Sequence, residues 1–383
     1  MKWEIAKLGD ISKNIQTGPF GSQLHQSDYS ECGIPVVMPK DLVGGKISEE
    51  SIARVDKTHV ERLCRHKIEV GDILYSRRGD VGRCAYVTKK EEGWLCGTGC
   101  LRVTIDSEKA DSRFVFFQLQ HPDTVGWVEK HAVGATMLNL NTTILSSVPI
   151  RLPALEIQKR IADILSAYDD LIENNQKQIK LLEEAAQRLY KEWFVDLRFP
   201  GHENTKIVDG VPEGWSRTNI NEILTFHRGY DLTKNEMKAG RYPVVGSTTV
   251  IGYHNEFKIK GPGIVTGRSG SLGKYQFIWD NFWPHNTSLY ISDYKDHNIF
   301  FVYSLLQTVD FASLNNGGAI PTLNRNVLSN IEVIEPTDEL QEMFAKIAEP
   351  QYQKIKNLEK QNNQLKMARD ALLPKLMSGE VEV

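Results

Sequence analysis

The sequence predicts an α+β protein made twice from one plan. Two loop-rich domains, each a mixed or antiparallel sheet with short helices, are separated by an antiparallel pair of long coiled-coil helices and related by a pseudo-twofold internal repeat. Three observations predict it. Four segments of the first half recur, in order, in the second. A heptad seam follows each copy. Between the matched segments, short Val/Ile/Tyr-rich runs alternate with Gly, Pro and Asn, the chemistry of strands and turns.

The repeat decides the architecture. Trp3 with Leu8-Gly9-Asp10-Ile11 recurs as Trp215 with Ile220-Asn221-Glu222-Ile223, and Ile34-Pro35-Val36-Val37 recurs as Tyr242-Pro243-Val244-Val245. The run from Ile73 to Arg83 recurs from Ile264 to Lys274, and Leu138-Asn139-Leu140-Asn141 recurs as Leu323-Asn324-Arg325-Asn326. The offset shrinks from 212 through 208 and 191 to 185, so the second copy has shorter loops. Strand-and-turn chemistry is densest over Gly71–Val87 and Gly261–Ile278, and short helices are expected at Ser112–Gln120 and Asn298–Gln307.

From Glu156 to about Val195 the chain turns helical. Leu165, Tyr168, Ile172, Asn175, Ile179, Leu182, Ala186, Leu189 and Trp193 fall in alternating steps of 3 and 4. An offset of 183 gives the second seam: Ala348, Gln351, Ile355, Leu358, Asn362, Leu365, Arg369, Leu372 and Leu376. Pro350 is expected to break or kink that helix early, and Leu373-Pro374 to close it. Either helix could lie as an amphipathic helix on its own domain. A length of about 40 residues, beyond the usual globular helix, and a lone seam asparagine in each copy, a register-fixing device, favour pairing. The interface would then hold Leu165, Tyr168, Ile172, Ile179, Leu182 and Leu189 against Ile355, Leu358, Leu365 and Leu372. The expected boundaries are a first domain at 1–154, a first helix at 155–199, a linker at 200–212, a second domain at 213–337 and a second helix at 338–383.

Bulk properties bound the function. The 383 residues suffice for two cores. Hydrophobic residues at 40% and charged residues at 25% are ordinary for a soluble globular chain. The net charge of −3 runs against the basic bias of a DNA-binding domain, unless acid gathers on the helices and base on one face. No signal peptide or membrane span is apparent, so a cytoplasmic location is expected. The cysteines, Cys32, Cys64, Cys84, Cys96 and Cys100, are odd in number and confined to the first third. Reduced thiols fit better than a disulfide framework or a zinc site.

Catalytic motifs are missing. Gly270-Ser271-Leu272-Gly273-Lys274-Tyr275 lacks the first glycine and the final Ser/Thr of a P-loop. Cys96-Gly97-Thr98-Gly99-Cys100 runs into the strand-like Leu101–Ile105 and not into a helix N-terminus, where a glycine loop could cradle a cofactor. No Asn-Pro-Pro-aromatic stretch, Gly-x-Ser-x-Gly or His-Glu-x-x-His occurs. No catalytic residue, metal site or cofactor is expected on this chain.

Residues suited to nucleic acid recur in both copies. The early Gly-rich loop Thr17–Gln23, with Ser22 and Gln23, corresponds to His227-Arg228-Gly229-Tyr230. Small residues admit close backbone approach, though such glycines also serve plain turns. The turn Ser76-Arg77-Arg78-Gly79 corresponds to Gly267-Arg268-Ser269-Gly270. Arginine there suits a phosphate or guanine, or a surface ion pair. The tract Thr136–Asn141, with Asn139 and Asn141, corresponds to Thr322, Asn324, Arg325 and Asn326. Asparagine reads adenine bidentately, and equally caps helices and turns. Lys40, Arg83, Lys234, Lys274, His285 and Asn286 complete the candidate surface.

These residues carry a resemblance. The tandem repeat, Leu152-Pro153-Ala154-Leu155-Glu156-Ile157-Gln158-Lys159-Arg160-Ile161, the helix end Leu189-Tyr190-Lys191-Glu192-Trp193-Phe194-Val195-Asp196-Leu197, Leu372-Leu373-Pro374-Lys375-Leu376-Met377-Ser378-Gly379 and the early Gly18-Pro19-Phe20-Gly21-Ser22 resemble the specificity subunit of type I restriction-modification systems. The resemblance implies two target recognition domains, each reading one half of a split double-stranded DNA site. It implies helices that set the unread spacer and dock two methyltransferase subunits, joined by restriction-translocase subunits. S-adenosylmethionine, ATP and magnesium would belong to those partners. Leu165 to Trp193 would span roughly 42 Å at about 1.5 Å per residue, against roughly 34–36 Å per DNA turn. Two other readings stay open: an assembly scaffold binding protein or carbohydrate, and an enzyme with an unrecognised site.

Overall fold

Both copies of the repeat fold to one sheet plan. The computed structural model describes residues 3–134, 137–268, 273–309 and 331–383, in two units: Met1–Glu173 with Asn363–Val383, and Asn174–Asn362.

In the first unit the strands are Glu4–Lys7 (β1), Ser12–Thr17 (β2), Ile34–Val37 (β3), Leu42–Val43 (β4), Lys46–Ile47 (β5), Ala53–Val55 (β6), Ile73–Ser76 (β7), Cys84–Tyr86 (β8), Leu95–Cys96 (β9), Cys100–Ile105 (β10) and Pro149–Leu152 (β11). An antiparallel sheet runs β2-β10-β7-β8, and a mixed sheet runs β6-β3-β9. In the mixed sheet β3 is antiparallel to β6 and parallel to β9. β1 pairs with β11 and closes the domain.

The second unit repeats this. After the connector hairpin Ile207–Val208 (β12) and Val211–Pro212 (β13) come Ser216–Asn219 (β14), Thr225–Arg228 (β15), Tyr242–Val245 (β16), Val250–His254 (β17), Gly263–Gly267 (β18), Tyr275–Ile278 (β19), Trp283–Pro284 (β20), Ser288–Asp293 (β21) and Glu332–Glu335 (β22). Here β15-β21-β18-β19 matches the first antiparallel sheet, β17-β16-β20 the mixed sheet, and β14-β22 the closing pair. The hydrophobic runs account for the strands. Every residue of β7 and of β18 is buried, as expected for central strands covered on both faces.

The helices are Lys57–Arg62 (α1), Ser112–Gln120 (α2), Pro122–His131 (α3), Thr142–Ser146 (α4), Leu155–Tyr190 (α5), Ile220–Ile223 (α6), Ile299–Thr308 (α7) and Asp338–Ser378 (α8). The predicted short helices are α2 and α7. Asp111 caps α2 by accepting from Arg113 and Phe114, and Asn298 caps α7 by accepting from Phe300.

Each long helix contributes a segment to each unit, and within each unit the two segments run antiparallel. In the first, Leu165 and Ile161 share a core with Leu372, Leu376 and Met377. In the second, Ile179, Leu182, Ala186 and Leu189 pack in one core with Ile355, Tyr352 and Phe344. Of the remaining predicted seam residues, Ile172 and Leu358 are buried, and Tyr168 and Leu365 are half-buried.

Two expectations are corrected. Pro350 does not break α8, and Pro374 does not close it. Pro350 is exposed, on the face away from the buried Ala348 and Tyr352, and the helix runs through it. Beyond Pro374, burial of Leu376 and Met377 in the first unit's core holds one more turn. The helix stops where Gly379 turns left-handed, at φ 73. The first helix also ends sooner than residue 199: its α-helical part stops at Tyr190, and a π turn over Lys191–Val195 buries Trp193 and Phe194.

The recurring Pro-x-x-x-x-Gln at the head of each helix has a structural role that the sequence did not disclose. Gln158 is 2% exposed; its amide donates to the Pro153 carbonyl and its oxygen accepts from the Asp111 amide. Gln341, 183 residues on and equally buried, donates to the Pro336 carbonyl and meets His297 Nδ1 at 3.0 Å. Each glutamine locks a strand-to-helix corner to the start of α2 or α7.

Candidate nucleic-acid interface

In the first unit the three predicted loops converge on the turn between β9 and β10. The Gly18 amide donates to the Cys100 carbonyl at 3.0 Å. A Cβ on Gly18 would lie 2.0 Å from the Gly97 carbonyl oxygen, so only glycine fits there. The Thr98 hydroxyl donates to Pro19 at 2.9 Å, and the Arg77 amide to Gly99 at 2.8 Å. The polar tract joins from the other side: Leu140 donates to the Arg77 carbonyl at 2.8 Å and Gly79 to the Leu138 carbonyl at 3.1 Å.

The second unit builds the same junction. The Gly229 amide donates to Ser288 at 3.1 Å, and a Cβ there would lie 2.1 Å from the His285 carbonyl oxygen. Arg268 donates to Thr287 at 3.2 Å, the counterpart of Arg77 to Gly99. His285 lies between the Thr287 hydroxyl at Nδ1, 2.9 Å, and the Leu232 carbonyl at Nε2, 3.2 Å. A carbonyl can only accept, so Nε2 carries the proton. Asn286 donates to the Asp231 carboxylate. The Tyr230 and Tyr290 hydroxyls meet at 2.9 Å, and burial followed by that contact pushes Tyr290 above the ordinary tyrosine range.

The predicted residues separate by what their side chains already hold. Arg78 is exposed at the rim and has no ion pair among the described residues, as have Arg228, Lys234 and Lys274. Arg77 is half-buried, its Nε donating to the Leu140 carbonyl at 3.3 Å; Arg268 is also half-buried. Ser22 is exposed. Five others serve local structure. Ser76 is 1% exposed, and its hydroxyl donates to the Arg78 carbonyl. Gln23 accepts from the Phe20 amide. Asn141 caps α4 through the Ile144 amide. Arg83 pairs with Asp80 at 2.6 Å, and Lys40 donates to the Ser51 carbonyl at 2.5 Å. Asn139 bridges Val133 and Arg78 through its backbone, while its side-chain oxygen is buried without a partner among the described residues. Ser269, Thr322, Asn324 and Arg325 lie outside the described residues.

Sequence reasoning missed Phe20, 55% exposed on the early loop, and Met137, 63% exposed beside the arginine turn. A large apolar residue inside a Gly-Ser loop was the available signal for Phe20. It also missed Lys258, whose ammonium lies 4.7 Å over Trp283 and 5.8 Å over Tyr230. Among the described residues no group of His, Cys, Asp or Glu could hold a metal, and no helix is long and apolar enough to cross a membrane.

A family model described as the type I restriction modification DNA specificity domain matches residues 1–184 and 212–367, one match over each copy of the repeat. The chain belongs to this family. It is a specificity subunit, a non-catalytic DNA-recognition component. The MjaIX specificity subunit of Methanocaldococcus jannaschii is 26% identical over 415 residues, covering 100% of this chain and 94% of that one. The HindI specificity subunit of Haemophilus influenzae is 23% identical, covering 99% of each. The crystal structure of a type I restriction-modification S subunit from M. genitalium shares the fold: TM-score 0.63, 19% identity, 98% of this chain and 96% of that one.

Proposed function

We propose that each unit of this specificity subunit reads one half of a bipartite duplex DNA site. The early loop, the arginine turn and the β9–β10 or β20–β21 turn form the reading edge. The paired helices hold the spacing and carry two methyltransferase subunits, with restriction subunits joining that core. S-adenosylmethionine, ATP and magnesium belong to those partners. The observation that carries this reading is the duplicated junction, in which Arg77 and Arg268 are fixed by the same backbone bond next to a glycine that tolerates no side chain. Repetition of a loop assembly, beyond repetition of a core, supports a ligand that itself comes in two parts.

Exposed cations at the rim suit phosphates, which position a reader without specifying sequence. Side chains such as Arg268, Asn286 and Phe20 suit base edges and methyl groups. The test is genome-wide mapping of methylated adenines with and without this chain in the presence of its methyltransferase partner. The expected result is a split motif that depends on the chain, one half of which changes in Arg268→Ala. Methylation or cleavage by the isolated chain, or no chain-dependent motif, overturns the reading.

A further inference from the structure

The two units differ in the connection between counterpart strands of the mixed sheet. Fifteen residues, Met38–Ile52, join β3 to β6 in the first unit, whereas four, Gly246–Thr249, join β16 to β17 in the second. The extra chain in the first unit forms the β4–β5 hairpin. Its turn lies against the last strand of the antiparallel sheet, where the Tyr86 amide donates to the Gly45 carbonyl at 3.2 Å. Gly45 rests on α2; a Cβ there would sit 3.0 Å from the Phe116 ring. The next residue, Lys46, reaches α5, with Nζ 2.6 Å from the Glu173 carboxylate. A glycine turn followed by a lysine thus fills the space between sheet edge and helix.

The second unit has the same sheet edge without the hairpin. Register makes Phe277 the counterpart of Tyr86, since they face Ile264 and Ile73. Position after the helix cap makes Tyr303 the counterpart of Phe116. Beside them a cleft opens, walled by Phe277, Tyr303 and Tyr352 and carrying the carboxylates of Glu183 from α5 and Glu359 from α8. Tyr303 lies 5.2 Å from Phe277 and 5.5 Å from Tyr352, ring to ring. Neither carboxylate has a cation within ion-pair distance among the described residues. The nearby Lys356 lies 4.9 Å over the Trp279 ring. Partial burial pushes both carboxyls above their ordinary range, helped by a neighbouring like charge, Glu184 for Glu183 and Glu183 for Glu359.

We propose that this cleft, left open where the first unit has its β4–β5 hairpin, receives a lysine or arginine on an extended loop of the methyltransferase subunit, seated between Glu183, Glu359 and the Tyr303–Tyr352 wall. The proposal rests on the assembly described under the proposed function. Paired carboxylates repel DNA, so the occupant is not the nucleic acid. Aromatic faces add cation–π attraction for a basic side chain. The adjoining sheet edge offers backbone groups to a peptide, as β8 does to Gly45.

The test compares full-length wild-type chain with E183Q/E359Q. Association with the methyltransferase subunit is measured by sedimentation, and thermal unfolding is measured on the isolated chain. Glutamine keeps the shape and removes the repulsion. The double variant is therefore expected to unfold no earlier than wild type, yet to bind the methyltransferase about ten-fold or more weakly, with a smaller salt dependence. A variant that unfolds earlier and loses binding in proportion would make the pair structural and overturn the proposal. Wild-type binding with an unaffected double variant overturns the cleft assignment alone. Failure of wild type to bind overturns the cleft together with the assembly it rests on.

Discussion

The side-chain amide of Asn175 donates to the side-chain oxygen of Asn362 at 3.0 Å, joining α5 to α8 among apolar seam residues of the second unit. Asn175 also donates to Gln361 at 3.1 Å, and the two asparagines are 2% and 6% exposed. A buried polar pair of this kind penalises any shift of one helix along the other, because a slip leaves both amides unpaired. Asn175→Leu strands the Asn362 amide and is expected to destabilise the chain by about 1–3 kcal/mol. The double replacement Asn175→Leu with Asn362→Leu is expected to recover most of that loss while weakening the definition of register. Denaturant unfolding of the two single variants and the double variant checks this; additive losses would show that the pair is not coupled.

Gly18 and Gly229 are predicted to be irreplaceable for a reason unrelated to φ. A Cβ at either position would meet a backbone carbonyl at 2.0 or 2.1 Å, which requires the early loop to leave the β9–β10 or β20–β21 turn. Each Gly→Ala change is expected to cost about 1–3 kcal/mol as overpacking and to abolish reading of one half-site only. Gly21→Ala, where a Cβ has nothing within 4 Å, is the control and should stay within about 0.5 kcal/mol of wild type. Unfolding midpoints and the methylated motif of each variant are the measurements.

The sequence disclosed the architecture because duplication leaves paired signals. Two of the matched segments fall on the counterpart strands β3 and β16, and β7 and β18, and the 183-residue offset placed both seams, including Asn175 and Asn362. It misled at Pro350 and Pro374. Propensity is local, whereas Leu376 and Met377 are held helical by a core assembled from distant segments. For the interface, residue type alone could not separate a free arginine from a tied one. Arg78 and Arg83 look alike in sequence, and only geometry reveals the Arg83–Asp80 pair. Asn141 proved to be a helix cap for the same reason. Gln158 and Gln341 share the seam offset of 183 and could have been found by it.

The contrast between those two arginines is a prediction. Arg78 is exposed and unpaired among the described residues, so Arg78→Ala is expected to weaken DNA binding by the assembled complex. A phosphate contact would weaken all sequences alike and flatten the salt dependence by roughly one unit of slope. A base contact would cost about 1–3 kcal/mol and relax one position of the motif. Arg83→Ala removes a guanidinium already committed to Asp80 and should change binding little. Equal effects of the two variants across a salt titration would remove Arg78 from the reading edge.

Glu183 and Glu359 have carboxyl pKa values raised above the ordinary 4.5, first by burial and then by a neighbouring like charge. A raised folded-state pKa means that the folded chain holds its proton more tightly than the unfolded chain. The stabilisation is full below the unfolded value and is lost as pH climbs through the raised value. Wild type should therefore lose stability as pH rises above the ordinary carboxyl value relative to E183Q/E359Q, which has no proton to release at these positions. Thermal unfolding of both chains at pH 4.5 and 7.5 isolates the effect, because every other titrating group is common to them. Adding the methyltransferase subunit at pH 7.5 should reverse the sign for wild type only, since a basic side chain in the cleft favours the ionised pair. An identical pH response in the two chains, alone and in complex, would place the carboxylates out of each other's reach and out of the partner's.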